Sequence, residues 1–230
     1  MNKKEKIQNF HRSEILKATY RLCKRNNMSS VTMRDIAKES EYTLRTIYKY
    51  FNCKEELYYE LVTLIMEVKA YWLFEIIDRY DDPAEKLLVY MVNNYNYLKK
   101  HPIELKLTIF FISAEYDNSG IREETLIAQT ERRTILYNYF KEIFEKGISD
   151  GLFKDDLNIR YTQDLITQTF RLVMYLVIVL KERPENYFWE YFKIFFRSIF
   201  NDGISKIADE DFPEKYLVMD VPEKLDKFDD

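Results

Sequence analysis

Apolar residues recur at helical spacing along most of this chain, and polar breaks divide them into successive segments. The clearest short pair lies between Thr32 and Leu57, in TMRDIAKESEYTLRTIYKYFNCKEEL. Thr32 with Asp35 three residues on is a capping-box start, and Ile36 and Ala37 give the helix it opens a small apolar face. Ser40, Glu41 and Tyr42 interrupt that face. Thr43 caps a second short helix through Tyr50, in which Ile47 pairs with Phe51 at i, i+4 and turns inward. Asn52 with Glu55 opens a third helix. Its first turn carries Lys54, a cation on the wrong end of the helix dipole. An anion such as phosphate at that N-terminus would resolve the conflict.

Longer segments follow. One helix is predicted from Cys53 to about Tyr80, closed by Asp81-Asp82-Pro83, and the next runs to Lys100 before His101-Pro102. Ile103 to Tyr116 stops at Asp117-Asn118-Ser119-Gly120, and Arg122 to Ser149 stops at Asp150-Gly151. Leu157 to Lys181 and Glu185 to about Ala208 complete the body. With only 4 Gly and 5 Pro, and Lys, Glu, Leu and Ile in abundance, the chain reads as all-α. Three parts are expected: a three-helix head over 1–53, a larger helical body over 54–208, and an acidic tail over 209–230 built loosely around Tyr216 to Val221.

The two short helices have the layout of a helix-turn-helix. The outer side of the second presents Thr43, Leu44, Arg45, Thr46, Tyr48, Lys49 and Tyr50, with Thr32, Arg34 and Lys54 flanking it. This donor-rich set suits base edges and phosphates of double-stranded DNA. A helical hairpin with a merely polar face fits the pattern equally well. Charge separates the two. Residues 1–55 carry 13 Lys and Arg against 6 Asp and Glu, a net of +7, whereas the whole chain is −4, which leaves −11 on the remainder. A basic head on an acidic body is the electrostatic footprint of a nucleic-acid module.

The segment from Arg12 to Leu57 resembles the N-terminal domain of the TetR family of bacterial transcriptional regulators. The resemblance rests on Ile15-Leu16-x-Ala18 and Leu22, Thr32, Ile36-Ala37, Thr46-Ile47-Tyr48-x-Tyr50-Phe51 and Lys54-Glu55-x-Leu57. It departs from the family in Glu41, where the turn usually has Gly, in Arg45, where a small residue is frequent, and in Asn26-Asn27 after the first helix. The resemblance implies a ligand-responsive repressor that binds a palindromic operator as a homodimer. A helical protein-interaction adaptor without DNA specificity is the alternative.

Phe188, Phe192, Phe195, Phe196 and Ile199 share one stripe of the last helix, and the segment before it is apolar with almost no break. The stripe fits a deep monomer core or, as the family would have it, a homodimeric four-helix interface. The middle helices are expected to enclose a pocket for a small, largely apolar effector, with Tyr71, Trp72, Phe74, Asn94, Tyr97, Phe111 and Tyr137 as candidate lining. Ordinary core packing accounts for the same residues. Arg171, a charge inside TQTFRLVMYLVIVL, is either a clamp for an anionic ligand or a member of an ion pair or interface.

Other chemistries find little support. The sequence has no Gly-rich phosphate loop, nucleophile elbow or paired-His motif, so no enzyme and no cofactor is expected. His11 and His101 are the only histidines, and their separation argues against a metal. Cys23 reads as a small core residue and Cys53 as an isolated thiol. The opening MNKKEKIQNF lacks the apolar stretch of a signal peptide, so none is expected, and the longest apolar run, Leu172 to Leu180, is too short to span a bilayer. A cytoplasmic protein is expected.

Overall fold

A computed structural model describes residues 2–113, 120–201 and 213–218, the side chains of 111–113 and 215 excepted. The described residues form α-helices joined by short turns: α1 Lys3–Arg25, α2 Met33–Glu39, α3 Leu44–Tyr50, α4 Lys54–Ile77, α5 Pro83–Lys100, α6 Pro102–Ser113, α7 Glu123–Ser149, α8 Ile159–Met174 and α9 Glu185–Ile199. Among these residues no helix is long and apolar enough to cross a membrane. The chain divides into two units, the first holding Met1–Val68 and Leu107–Thr130, the second Lys69–Lys106 and Glu131–Val221. The divisions along the chain fall inside α4, α6 and α7.

Side-chain caps set the helix starts. Asn2 and Glu5 form a capping box on α1, and Thr32 and Asp35 form the expected one on α2. The bonds from Thr32 hold the Asp35 carboxyl below the usual carboxylate range. Thr43 accepts the Thr46 N–H at 3.1 Å on α3, and Asp82 accepts from Ala84 and Glu85 ahead of α5, with Pro83 in its first turn.

In the first unit, Ile15, Ala18 and Tyr20 of α1 bury together with Ile36 of α2, Ile47 of α3, Phe51, and Leu57 and Leu61 of α4. Cys23 belongs to this core, and burial pushes its thiol up to about 11, which leaves it protonated at neutral pH. A polar network ties the start of α4 to its surroundings. The fully buried Glu56 accepts from the Asn52 N–H at 2.6 Å and the Thr125 hydroxyl at 3.2 Å, with the Arg122 guanidinium 3.6 Å away. Glu60, one turn on, is paired with Arg12. Both carboxylates thereby meet the requirement that buried charge be paired.

The second unit packs α9 inward. Phe188, Phe192 and Phe196 are fully buried and Ile199 is 1% exposed. Tyr95 of α5 stacks on Phe188 with ring centroids 4.2 Å apart, Phe170 of α8 meets the same ring at 5.4 Å, and Phe200 stacks on Phe196 at 5.0 Å. The phenylalanine stripe expected at a dimer interface is therefore core within one chain, because α5, α8 and Phe200 supply enough aromatic surface to cover it. Phe195 alone of the set is half-buried.

Helix α9 ends at Ile199, not near Ala208 as the pattern suggests. Phe200 pairs antiparallel with Phe153, the Lys154 N–H donates to the Ile199 carbonyl at 2.9 Å, and the Asn201 N–H donates to Leu152 at 3.0 Å. The loop after α7 thus takes up backbone groups that a continued helix would use. Its tightness depends on Gly147, where an added Cβ would lie 2.2 Å from the Phe153 ring. Part of the presumed loose tail is also fixed. Asn93 of α5 donates to the Tyr216 carbonyl and accepts from the Val218 N–H, both at 2.8 Å, and Tyr216 is buried. The remainder of the 209–230 expectation lies outside the described residues.

Candidate nucleic-acid interface and interior cavity

Helices α2 and α3 pack as a pair, and the chain between them is a Schellman turn. The Tyr42 N–H reaches back to the Ala37 carbonyl at 3.0 Å, and the Glu41 N–H to Lys38 at 3.3 Å. Glu41 sits at φ 59°, in the left-handed region that favours glycine. Tyr42 then anchors the turn by a 2.7 Å bond between its hydroxyl and His11 Nδ1 of α1. Because Glu41 is exposed and its backbone is strained, Glu41→Gly should stabilise the protein by about 0.5–1 kcal/mol. Urea unfolding measures this; an unchanged or lower midpoint would show that the turn carries no strain.

With Ile47 inside, α3 turns Thr43, Arg45, Tyr48 and Lys49 to solvent, and Leu44 and Thr46 are half-exposed. Thr32, Arg34 and Lys38 of α2 are exposed in the same unit. Among the expected contact residues two behave differently. Tyr50 is 6% exposed: its ring lies 5.8 Å from that of His11, and Arg12 donates to its carbonyl at 2.8 Å. It belongs to the α1–α3 packing and cannot reach a groove. Lys54 is half-buried and its ammonium donates to the carbonyls of Val31 at 3.2 Å and Ser29 at 3.4 Å. These carbonyls ease the conflict with the dipole of α4. Thr32 and Thr43 are also occupied in capping, so the free donor groups of the surface are chiefly Arg34, Arg45, Tyr48 and Lys49.

The second unit holds a small cavity of about 50 Å³, lined by Leu87, Tyr90 and Met91 of α5, Phe140 of α7, Thr167 of α8 and Phe195 of α9, among others. Among the described residues, none of those expected to line a pocket borders this space directly. Tyr71 is 62% exposed. Phe74 stacks on Tyr139 at 3.9 Å, and Trp72 lies against Tyr97 at 5.5 Å. Tyr137 is half-buried, and the Phe111 side chain lies outside the described residues. Asn94 and Tyr97 are buried on the same helix as Tyr90. Arg171 is half-buried one turn from Thr167 and donates from Nε to the Thr167 carbonyl at 3.0 Å.

Sequence reasoning missed one charged group here. Lys69 of α4 is half-buried; burial pulls its ammonium down to about 8, Glu104 of α6 acts to raise it, and Arg171 acts to lower it. Its position among the apolar residues of a long helix was the available signal.

Residues 15–61 match the family model of the bacterial regulatory proteins of the tetR family. The HTH-type transcriptional repressor KstR2 of Mycobacterium tuberculosis is 22% identical over 165 residues, covering 70% of this chain and 78% of its own. An uncharacterised HTH-type regulator of Bacillus subtilis, YfiR, is 26% identical over 145 residues, covering 62% of this chain and 67% of its own. Among solved structures, the transcriptional regulator FadR of Bacillus subtilis in complex with stearoyl-CoA superposes with a TM-score of 0.63 at 18% identity, covering 81% of this chain and 98% of that one.

Proposed function

The chain belongs to the TetR family of DNA-binding transcriptional regulators, and from that premise we propose a ligand-responsive repressor that reads a palindromic operator as a homodimer. The exposed donor face of α3 carries the reading: Arg45, Tyr48 and Lys49 project from a helix whose opposite side is locked into the core. A helix of this kind enters the major groove, where a side chain such as Arg45 discriminates bases while Lys49 meets phosphate. Two such helices, one per subunit, match a two-fold symmetric site with half-sites about 34–36 Å apart.

The second unit supports dimerisation on a different surface from the phenylalanine stripe. Tyr161, Leu165 and Leu172 are spaced i, i+4, i+11 along α8 and stand exposed, as does Ile194 on α9. An apolar row of this kind on paired helices is a helix-bundle interface in waiting. The effector is a small molecule taken into the second unit; the superposable FadR fold, which holds stearoyl-CoA, supports a ligand with a long apolar part. Helix α4 belongs to the first unit through Val68 and to the second from Lys69. Binding that favours one position of α4 over another would alter the spacing of the two reading helices, and a ligand indifferent to the two positions would do nothing.

Footprinting on the DNA flanking this protein's own gene tests the reading, with a protected palindrome as the expected result. Arg45→Ala should relax the preference at one or two base positions, each worth about 1–3 kcal/mol. Lys49→Ala should weaken every site alike and make the salt slope shallower by about one. Two variants with the same effect on all sequences would remove the division between base and phosphate contacts. No protected site at low salt would remove the DNA reading itself.

A further inference from the structure

The first two turns of α1 stand in solvent: residues 2–10 are exposed, the half-buried Gln8 excepted. The helix is anchored on α3 and the turn before it at His11 and Arg12. His11 Nδ1 is bonded to the Tyr42 hydroxyl at 2.7 Å, and Arg12 donates to the Tyr50 carbonyl at 2.8 Å. Lys3 lies 8 residues before His11. At the α-helical rise, α1 therefore runs on for about 12 Å past its anchor beside the start of α3.

This overhang holds the cations of α1 that the fold does not use. Farther along the helix every Lys and Arg has a partner: Arg12 pairs with Glu60, Lys17 with Glu14, Arg21 and Arg25 share Glu39, and Lys24 lies over the Tyr20 ring at 4.6 Å. The ammonium groups of Lys3, Lys4 and Lys6 have none among the described residues. Their position also works against the helix. Cations at its start oppose the dipole, and Glu5 is the one acidic residue of the first turn. Lys4 stands two turns before His11, and so on the side of α1 that meets Tyr42. Lys3 and Lys6 share a second face with Ile7 and Phe10, which are 48% and 60% exposed.

Building on the DNA reading above, we propose that this overhang is a second DNA contact, in which Lys3, Lys4 and Lys6 pair with phosphates along the edge of the groove that α3 enters. Charge and continuity carry the assignment. The three lysines continue the basic surface of Arg45 and Lys49 within one unit, and the major groove, about 12 Å wide, matches the length of the overhang. Contacts of this kind add affinity without reading bases. They lie ahead of residues 15–61, which match the family model, and so belong to this chain's own sequence.

The test is fluorescence anisotropy of the full chain on the footprinted site and on a random duplex of equal length, between about 50 and 200 mM salt. Lys3→Gln, Lys4→Gln and Lys6→Gln together should weaken binding to both duplexes by the same factor, about tenfold or more, and make the salt slope shallower by about two or more. The thermal midpoint should hold or rise, because these lysines have no partner to lose and oppose the dipole. Arginine at the same three positions should restore affinity and slope. An unchanged slope in the glutamine variant, or a loss confined to the footprinted site, overturns the proposal. A variant that alters sedimentation but not the slope also overturns it and makes the Lys3–Phe10 face a protein contact. A chain that protects no site yet binds the random duplex through these lysines keeps this inference and loses the operator reading. An unmodified chain that binds neither duplex loses both.

Discussion

Leu165→Asp combined with Leu172→Asp will leave the protein folded but monomeric, and operator affinity will fall by about a hundredfold or more. Both side chains are largely in solvent within one chain, 63% and 56% exposed, so a carboxylate at either position disturbs no core. In a dimer the same carboxylates are driven against an apolar row and must lose water without a partner, which costs several kcal/mol. A monomer engages one half-site at a time and forfeits the high effective concentration that a linked second reading head provides, a factor of about 10²–10⁴. Sedimentation velocity and operator titration read the two effects. An unmodified protein that sediments as a monomer at micromolar concentration, or a double variant that stays dimeric, would show that this face is not the interface.

Phe192→Ala will act in the opposite manner, lowering stability by about 3–5 kcal/mol while leaving the assembly state of the folded fraction unchanged. The ring is fully buried and stacks on Phe196 at 4.4 Å, with Phe188 and Trp189 at 6.1 and 6.0 Å. Removing it opens a cavity in the middle of α9's packing, and Phe192→Asp, which adds an unpaired charge to the same place, should not fold at all. Denaturant unfolding measures the first and expression as soluble helical protein the second. A clean monomer from Phe192→Asp, folded and stable, would return the stripe to the dimer interface.

The contrast between these two faces shows where sequence pattern stops. Caps, breaks and periodicity are local, and they place α2, α3, α5 and α7 nearly as observed. Spacing also shows that Phe188, Phe192 and Phe196 share a face of α9. It does not show what covers that face, because Tyr95 and Phe170 lie many residues away and only the fold brings them there. Tyr50 fails for the same reason, being enclosed by His11 and Arg12 from a helix some 40 residues earlier. Lys54 finds carbonyl partners 23 and 25 residues back, which the helix dipole alone does not reveal. Arg171 stood out as a charge among apolar residues, and Lys69 on α4 could have been read from the same signal. Non-local contacts of this kind are what a one-dimensional pattern does not encode.

Helix α8 does not simply end at Met174. It runs on through one wide turn, Tyr175–Val179, in which the Leu180 N–H reaches five residues back to the Tyr175 carbonyl at 3.0 Å. Such a turn holds one residue more than an α-helix of the same rise. The helix therefore carries its own reserve of length. A deletion of one residue within 175–179 could be absorbed by tightening the wide turn to an ordinary one, with Phe170 and Val173 before it and the α8–α9 connection after it keeping their bearings. The same deletion placed between 165 and 172 would rotate Leu165 away from Leu172 by about 100° and split the exposed row. Along this helix, tolerance to a lost codon should thus depend on position more than on residue type.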